Sequence, residues 1–125
     1  MSAPMQFLLI IRHGASFVPT AALVAEIMAW ADAARHDGVR VEGRPLRPAH
    51  EAMRVRRRGE RTLLQRGRFD SADEQVAAYE LIACASEEDA LAIAASHPMA
   101  RAATIEVREV WVDIDAAIGV QADGR

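Results

Sequence analysis

At 125 residues, with 51% hydrophobic residues and a formal net charge of −3, the chain is sized for one domain with a real core. Its acidic balance, with a pI ≈ 5.8, argues against general nucleic-acid binding, and no window approaches the roughly 18 consecutive apolar residues of a membrane span. A single cysteine, Cys84, excludes a disulfide framework and a thiolate metal cluster.

The N-terminal Met1-Ser2-Ala3-Pro4 leads directly into Gln6-Phe7-Leu8-Leu9-Ile10-Ile11. That run is too short for the apolar core of a signal peptide and lacks a basic flank, so a cytoplasmic protein is expected. Residues 6–12 read as a buried strand ending in Arg12-His13-Gly14. Pro19-Thr20 marks a helix start, and Leu23, Ile27, Trp30 and Ala34 then recur at helical spacing, widened by Val24, Met28 and Ala31. Gly38 stands where a C-terminal cap belongs, after Arg35 and His36, whose charge suits the negative end of the helix dipole. Val39-Arg40-Val41-Glu42 alternates as a half-buried strand does, and residues 43–48, with two prolines, predict a loop.

Residues 53–58 and 61–65 flank Gly59, which predicts a hairpin. After a turn at Gly67, residues 75–83 read as another strand. Ser86 opens a second helix, with Glu87, Glu88 and Asp89 at its positive end, and Pro98 closes it. Residues 103–112 form the last strand. The order is βαβ, a hairpin insertion, then βαβ. Two helices on one face of a sheet predict an α+β, ferredoxin-like sandwich. One domain over residues 1–112 is expected, and residues 113–125, richer in Asp and Gly, read as a loose or partner-docked tail.

Several of these segments resemble the DGPF branch of the YCII-related family. Gly67 and Phe69 match two of the four residues in that branch's Asp-Gly-Pro-Phe motif. Glu74 and Gln75 match the following loop, Tyr79, Leu81 and Ile82 the next strand, His97-Pro98 the end of the second helix, and Ile105-Glu106-Val107-Arg108 the closing strand. Arg66 and Arg68 stand where the family has Asp and Pro, and Ala77-Ala78 replaces a glycine pair. The resemblance implies a homodimer built as a dimeric α/β barrel, with a ligand cavity between sheet and helices or at the barrel mouth. Relatives include dehydrochlorinase-like members using a His/Asp pair and domains found next to sigma factors. The DGPF branch itself carries no settled reaction.

The candidate chemistry is sparse. His13, at a strand end beside Gly14, is a candidate general base. Glu80 or Asp37 could orient it, and a loop histidine capping the strand is the alternative. Arg12 is a candidate anion anchor. His97 can serve a helix C-terminus or a ligand. His36 and His50 read as exposed, and four scattered histidines give no metal-site spacing, so no metal or cofactor is expected. Cys84 sits in an apolar setting that raises a thiol pKa. Trp30 and Trp111 read as core or dimer-contact residues.

All fifteen basic residues are Arg, and residues 54–68 hold seven of them against one acid. Arg54, Arg56 and Arg58 alternate onto one strand face. They suit a carboxylate or phosphate ligand, an acidic partner, or a solvated edge. With only Phe69 near for base stacking, nucleic acid fits poorly. The glycines are isolated, so no phosphate loop is present, and no serine has a nucleophile-elbow context.

Two functions follow. The first is a small-molecule binder or cofactor-free, lyase- or isomerase-like enzyme acting on a small, partly apolar anionic ligand. His13 would be catalytic, with Arg12, Arg54, Arg56, Tyr79, Glu80 and His97 contacting the ligand. The second is a non-enzymatic interaction or regulatory domain, for example transcription-associated, docking an acidic partner through the Arg-rich hairpin.

Overall fold

The computed structural model describes residues 4–68 and 73–111. The expected tail 113–125, Phe69 and the end of the last strand at Val112 lie outside the described residues. Six strands and three helices follow in the order β1 (Met5–Gly14), α1 (Ala21–His36), β2 (Arg40–Pro45), β3 (Met53–Arg58), β4 (Arg61–Arg66), β5 (Glu74–Cys84), α2 (Glu87–Ser96), α3 (Met99–Ala102) and β6 (Thr104–Glu109).

Strands β2, β5, β1 and β6 lie side by side in that order, with every neighbouring pair antiparallel. This is the ferredoxin-like arrangement, in which each helical crossover skips one strand. The inserted β3–β4 hairpin forms its own two-stranded sheet, turning at Gly59, whose φ of 61° a side chain would oppose.

Both long helices start on the caps their sequences supply. Thr20 Oγ1 accepts from the Leu23 N–H at 3.1 Å, and Ser86 Oγ accepts from the Asp89 N–H at 3.1 Å. Helix α1 ends at Gly38 with φ 76°, from which the Val39 N–H reaches back to the Ala34 carbonyl. Helix α2 ends at Ser96, before Pro98.

The two helices meet the sheet differently. Helix α2 presents Ala90 and Ala94, and these small residues let it lie against Phe7, Leu9 and Ile82 to form the core. Ile105 and Val107 of β6 and Val39, just before β2, pack around that centre. Helix α1 presents the larger Leu23, Ile27 and Met28 and stands away from the sheet centre, leaving a space under its apolar face.

Three features depart from the sequence expectation. Residues 43–45, expected in a loop, extend β2. A proline fits there because β2 is an edge strand, where a missing N–H removes no ladder bond on the open side. A short 3₁₀ turn at Ala49–Glu51 follows. Beyond Pro98 the chain winds into α3 rather than running straight to the last strand. Proline is compatible with a helix's first turn, where its missing N–H has no partner to lose.

A cavity beneath the first helix

Along β1, Phe7, Leu9, Ile11 and His13 point to the helices, while Leu8, Ile10 and Arg12 point to the other face. On β5, Ile82, Glu80 and Ala78 share the helix side. The register then slips between Ile11 and Arg12, so that Ala77 is unpaired and Gln75 sits opposite His13. No described non-glycine residue takes a positive φ to make this bulge. Without the slip, strict alternation would turn Gln75 to the other face.

The space under α1 has a volume of about 690 Å³, within the ordinary range of small-molecule sites. Its roof is α1 from Leu23 to Ala31, and its floor is β1 and β5. Phe17 and Pro19 close one end, and residues 45–49 close a side. Most of the wall is apolar. The polar side chains on it are few: His13, Gln75, Arg47, Arg40, Glu80 and His97.

Arg40 and Glu80 form a buried ion pair across β2 and β5. Arg40 Nε donates to Glu80 Oε2 at 2.5 Å, and Nη2 donates to the Gly43 carbonyl at 2.9 Å and, more weakly, to Glu80 Oε1 at 3.4 Å. Glu80 is only 5% exposed. The pair fits because Gly43 stands opposite Glu80 in the register and leaves space for both side chains.

His97 is 1% exposed. Its ring lies 4.5 Å from that of Trp30, whose indole N–H donates to Ser96 Oγ, so α1 and the end of α2 clamp it. The Met99 N–H donates to His97 Nδ1 at 3.0 Å, which leaves the ring proton on Nε2. Burial, aided by the Arg40 guanidinium, lowers its pKa to about 4, so the imidazole is neutral near neutral pH. Nε2 is buried with no hydrogen-bond partner among the described residues.

His13 stacks on Phe17 at 4.5 Å and donates from Nδ1 to the Gly14 carbonyl at 3.1 Å, because a carbonyl can only accept. Its Nε2 is therefore the basic nitrogen. Of the residues singled out in the sequence, His13, Glu80 and His97 come together on this cavity. Arg12 lies on the opposite sheet face, paired with Glu106 at 3.1 Å. Tyr79 is on that face too, across from Ile10. Arg54 and Arg56 belong to the hairpin and do not line the cavity. Asp37, the other carboxylate considered for His13, caps the far end of α1.

Of the ion pair, Arg40 is the member that sequence reasoning passed over. Its only signal was an arginine at the start of an alternating strand, where solvent exposure is the usual outcome. Cys84 behaves as its surroundings predict, with burial pushing the thiol pKa up and Sγ donating to the Ser86 carbonyl. Among the described residues, no cluster of three His, Cys, Asp or Glu side chains could hold a metal ion, and no helix is long and apolar enough to cross a membrane.

A ferredoxin-like α+β domain with a cavity between one helix and the sheet is the class this architecture defines. The chain belongs to the YCII-related family: the model of the YCII-related domain matches residues 5–113. No curated protein matches it.

Proposed function

We propose that this chain binds a small, largely apolar molecule in the cavity beneath α1. The observation that carries this reading is the wall itself. An apolar space of about 690 Å³ is bordered by a buried ion pair and by the buried His97. Pockets of that size with a few convergent polar groups are the usual form of a ligand site. If the ligand undergoes proton transfer, His13 Nε2 is the base, since Nδ1 is committed to Gly14. The anionic character expected of the ligand rested on Arg12, Arg54 and Arg56, none of which borders the cavity. Placement in the DGPF branch rests on the order of the matching residues, with Arg66 and Arg68 as departures.

The test is calorimetric titration with a panel of small apolar compounds, repeated on Ala31→Phe, which fills the space from the helix side. The expected result is uptake of at least one compound by the wild-type protein and its loss in a variant that keeps its thermal stability. Equal binding by both would remove the cavity as the site.

A second reading draws on the hairpin. Arg56, Arg57, Arg58, Arg61 and Arg66 are all exposed on it, and Met53, Val55 and Leu64 share one of its faces in the open. Such a surface suits an acidic partner with an apolar contact. Arg56→Glu with Arg58→Glu would abolish that docking and leave cavity binding intact.

We also infer a homodimer formed through the sheet face that carries none of the helices, where Leu8, Ile10, Tyr79 and Leu81 are half-buried.

A further inference from the structure

The inserted hairpin stands as a two-stranded sheet that is uncovered among the described residues. Every residue of β3 and β4 is exposed except Arg54, and the outer edge of each strand has no described partner. Two strands alone are marginal in water, and a third strand is the usual remedy. The exposed apolar side chains share one face: Met53 at 52%, Val55 at 67% and, across the register from Val55, Leu64 at 64%. Arg54, Arg56 and Arg58 alternate onto the other face of β3. A strand added to β3 therefore fits best when it alternates apolar residues with acids.

The chain carries such a sequence just past its last described residue. In Val112-Asp113-Ile114-Asp115, an extended backbone puts Val112 and Ile114 on one side and both aspartates on the other. Laid beside β3, the two apolar residues join Met53 and Val55, and the aspartates fall on the arginine face. The same copy cannot supply this strand. The Val110 N–H donates to the Gln6 carbonyl at 2.9 Å, so the chain leaves the sheet at the start of β1. The hairpin hangs from the opposite end, between Pro45 of β2 and Glu74 of β5, which pairs with Gly14. Eight residues of strand, about 26 Å, separate Gln6 from Gly14. Asp115 extends no further than about 18 Å from Val110. A second copy meets the requirement, since a two-fold axis lying across the strands sets the Gln6 end of one sheet over the Gly14 end of the other.

Resting on the homodimer inferred above, we propose that its two copies exchange tails: residues 112–115 of each add as a third strand along β3 of the other. Main-chain hydrogen bonds and the Met53–Val55 face hold the strand, and Arg56 and Arg58 select it by charge. The acidic partner that the hairpin suits is then the second copy itself.

Disulfide trapping in the full chain reads the contact. On a Cys84→Ser background, Val55→Cys with Ile114→Cys puts two thiols on one face of neighbouring strands, close enough to bridge. Mild oxidation should give a species of twice the chain mass in non-reducing electrophoresis, while either cysteine alone leaves the mass unchanged. Charge reversal supplies a second measurement that needs no exact register. Arg56→Asp with Arg58→Asp, or Asp113→Arg with Asp115→Arg, should each raise the dimer dissociation constant about tenfold or more in sedimentation, and all four together should restore it. A bridge confined within one chain, consuming both thiols at unchanged mass, overturns exchange between copies. Absence of any bridge, with dissociation constants unmoved by either reversal, also overturns it; the sheet-face dimer then stands and the hairpin is left to a separate acidic protein. A wild-type protein of single-chain mass overturns the dimer and the exchange together.

Discussion

His97 ties stability to pH. Burial first, and the Arg40 guanidinium second, hold its imidazole at about 4, below the 6.5 of a free histidine. The unfolded chain therefore takes up a proton at higher pH than the folded one does. The resulting stability is complete above about 6.5 and is lost as pH falls from there toward 4, on the order of 3 kcal/mol in all. The other charged or titratable groups on the same cavity are Arg40, Glu80, His13 and Arg47. Urea unfolding across this window should show the decline in the wild-type protein and a flatter profile in His97→Gln, whatever that variant's absolute stability; parallel profiles would assign the decline to other groups. Gly43 offers a second test at this scale. An added Cβ would fall inside contact distance of Glu80 Oε2 and Arg40 Nη2, and the buried Glu80 and half-buried Arg40 cannot swing away without parting. Gly43→Ala should cost about 1–3 kcal/mol in urea unfolding and weaken any ligand binding at this end of the cavity.

At the level of the element, caps and periods were the readable part of the sequence. Thr20, Gly38, Ser86 and Gly59 each mark a boundary by a local mechanism, and each sits at that boundary in the fold. Ser86→Ala should lower stability by about 1 kcal/mol, read as a shift in melting temperature, because the Asp89 N–H would lose its acceptor. Pairing between distant strands was not readable. The alternation at Val39-Arg40-Val41 says that one face is buried but not that Arg40 will meet Glu80 forty positions away. The slip at Ala77 is equally silent, since nothing about two alanines announces an extra residue against β1. The helical stripe of α1 was legible as apolar, but the same stripe serves a packed core or a cavity wall. Only the contrast with α2, whose alanines close onto the sheet, tells them apart. The candidate site was thus legible in three of its side chains, His13, Glu80 and His97, and not in its shape.

For the molecule as a whole, one sheet face is covered by helices and the other carries none of them among the described residues. Leu8, Ile10, Tyr79 and Leu81 lie half-buried on the uncovered face, with Arg12 and Glu106 paired beside them. Burying these against a second copy is the assembly we propose, and light scattering of the wild-type protein should then give twice the 13.6 kDa chain mass. Leu8→Arg with Leu81→Glu, placed opposite each other on β1 and β5, should yield monomers that retain the helix-side core and the cavity. A wild-type protein of single-chain mass at high concentration would refute the dimer.

Pro45 and the irregularity between Arg40 and Glu42 together shape how this sheet ends. Both fall on β2, whose outer side would otherwise offer a straight row of amides and carbonyls to any extended peptide. The proline contributes no donor to such a row, and the slip breaks its spacing. Templated strand addition, the route by which exposed sheets recruit further chains into fibrils, is therefore blocked along this border. Ordered growth of this protein into ribbons from β2 is disfavoured by the same residues that bring Arg40 and Gly43 into place around Glu80.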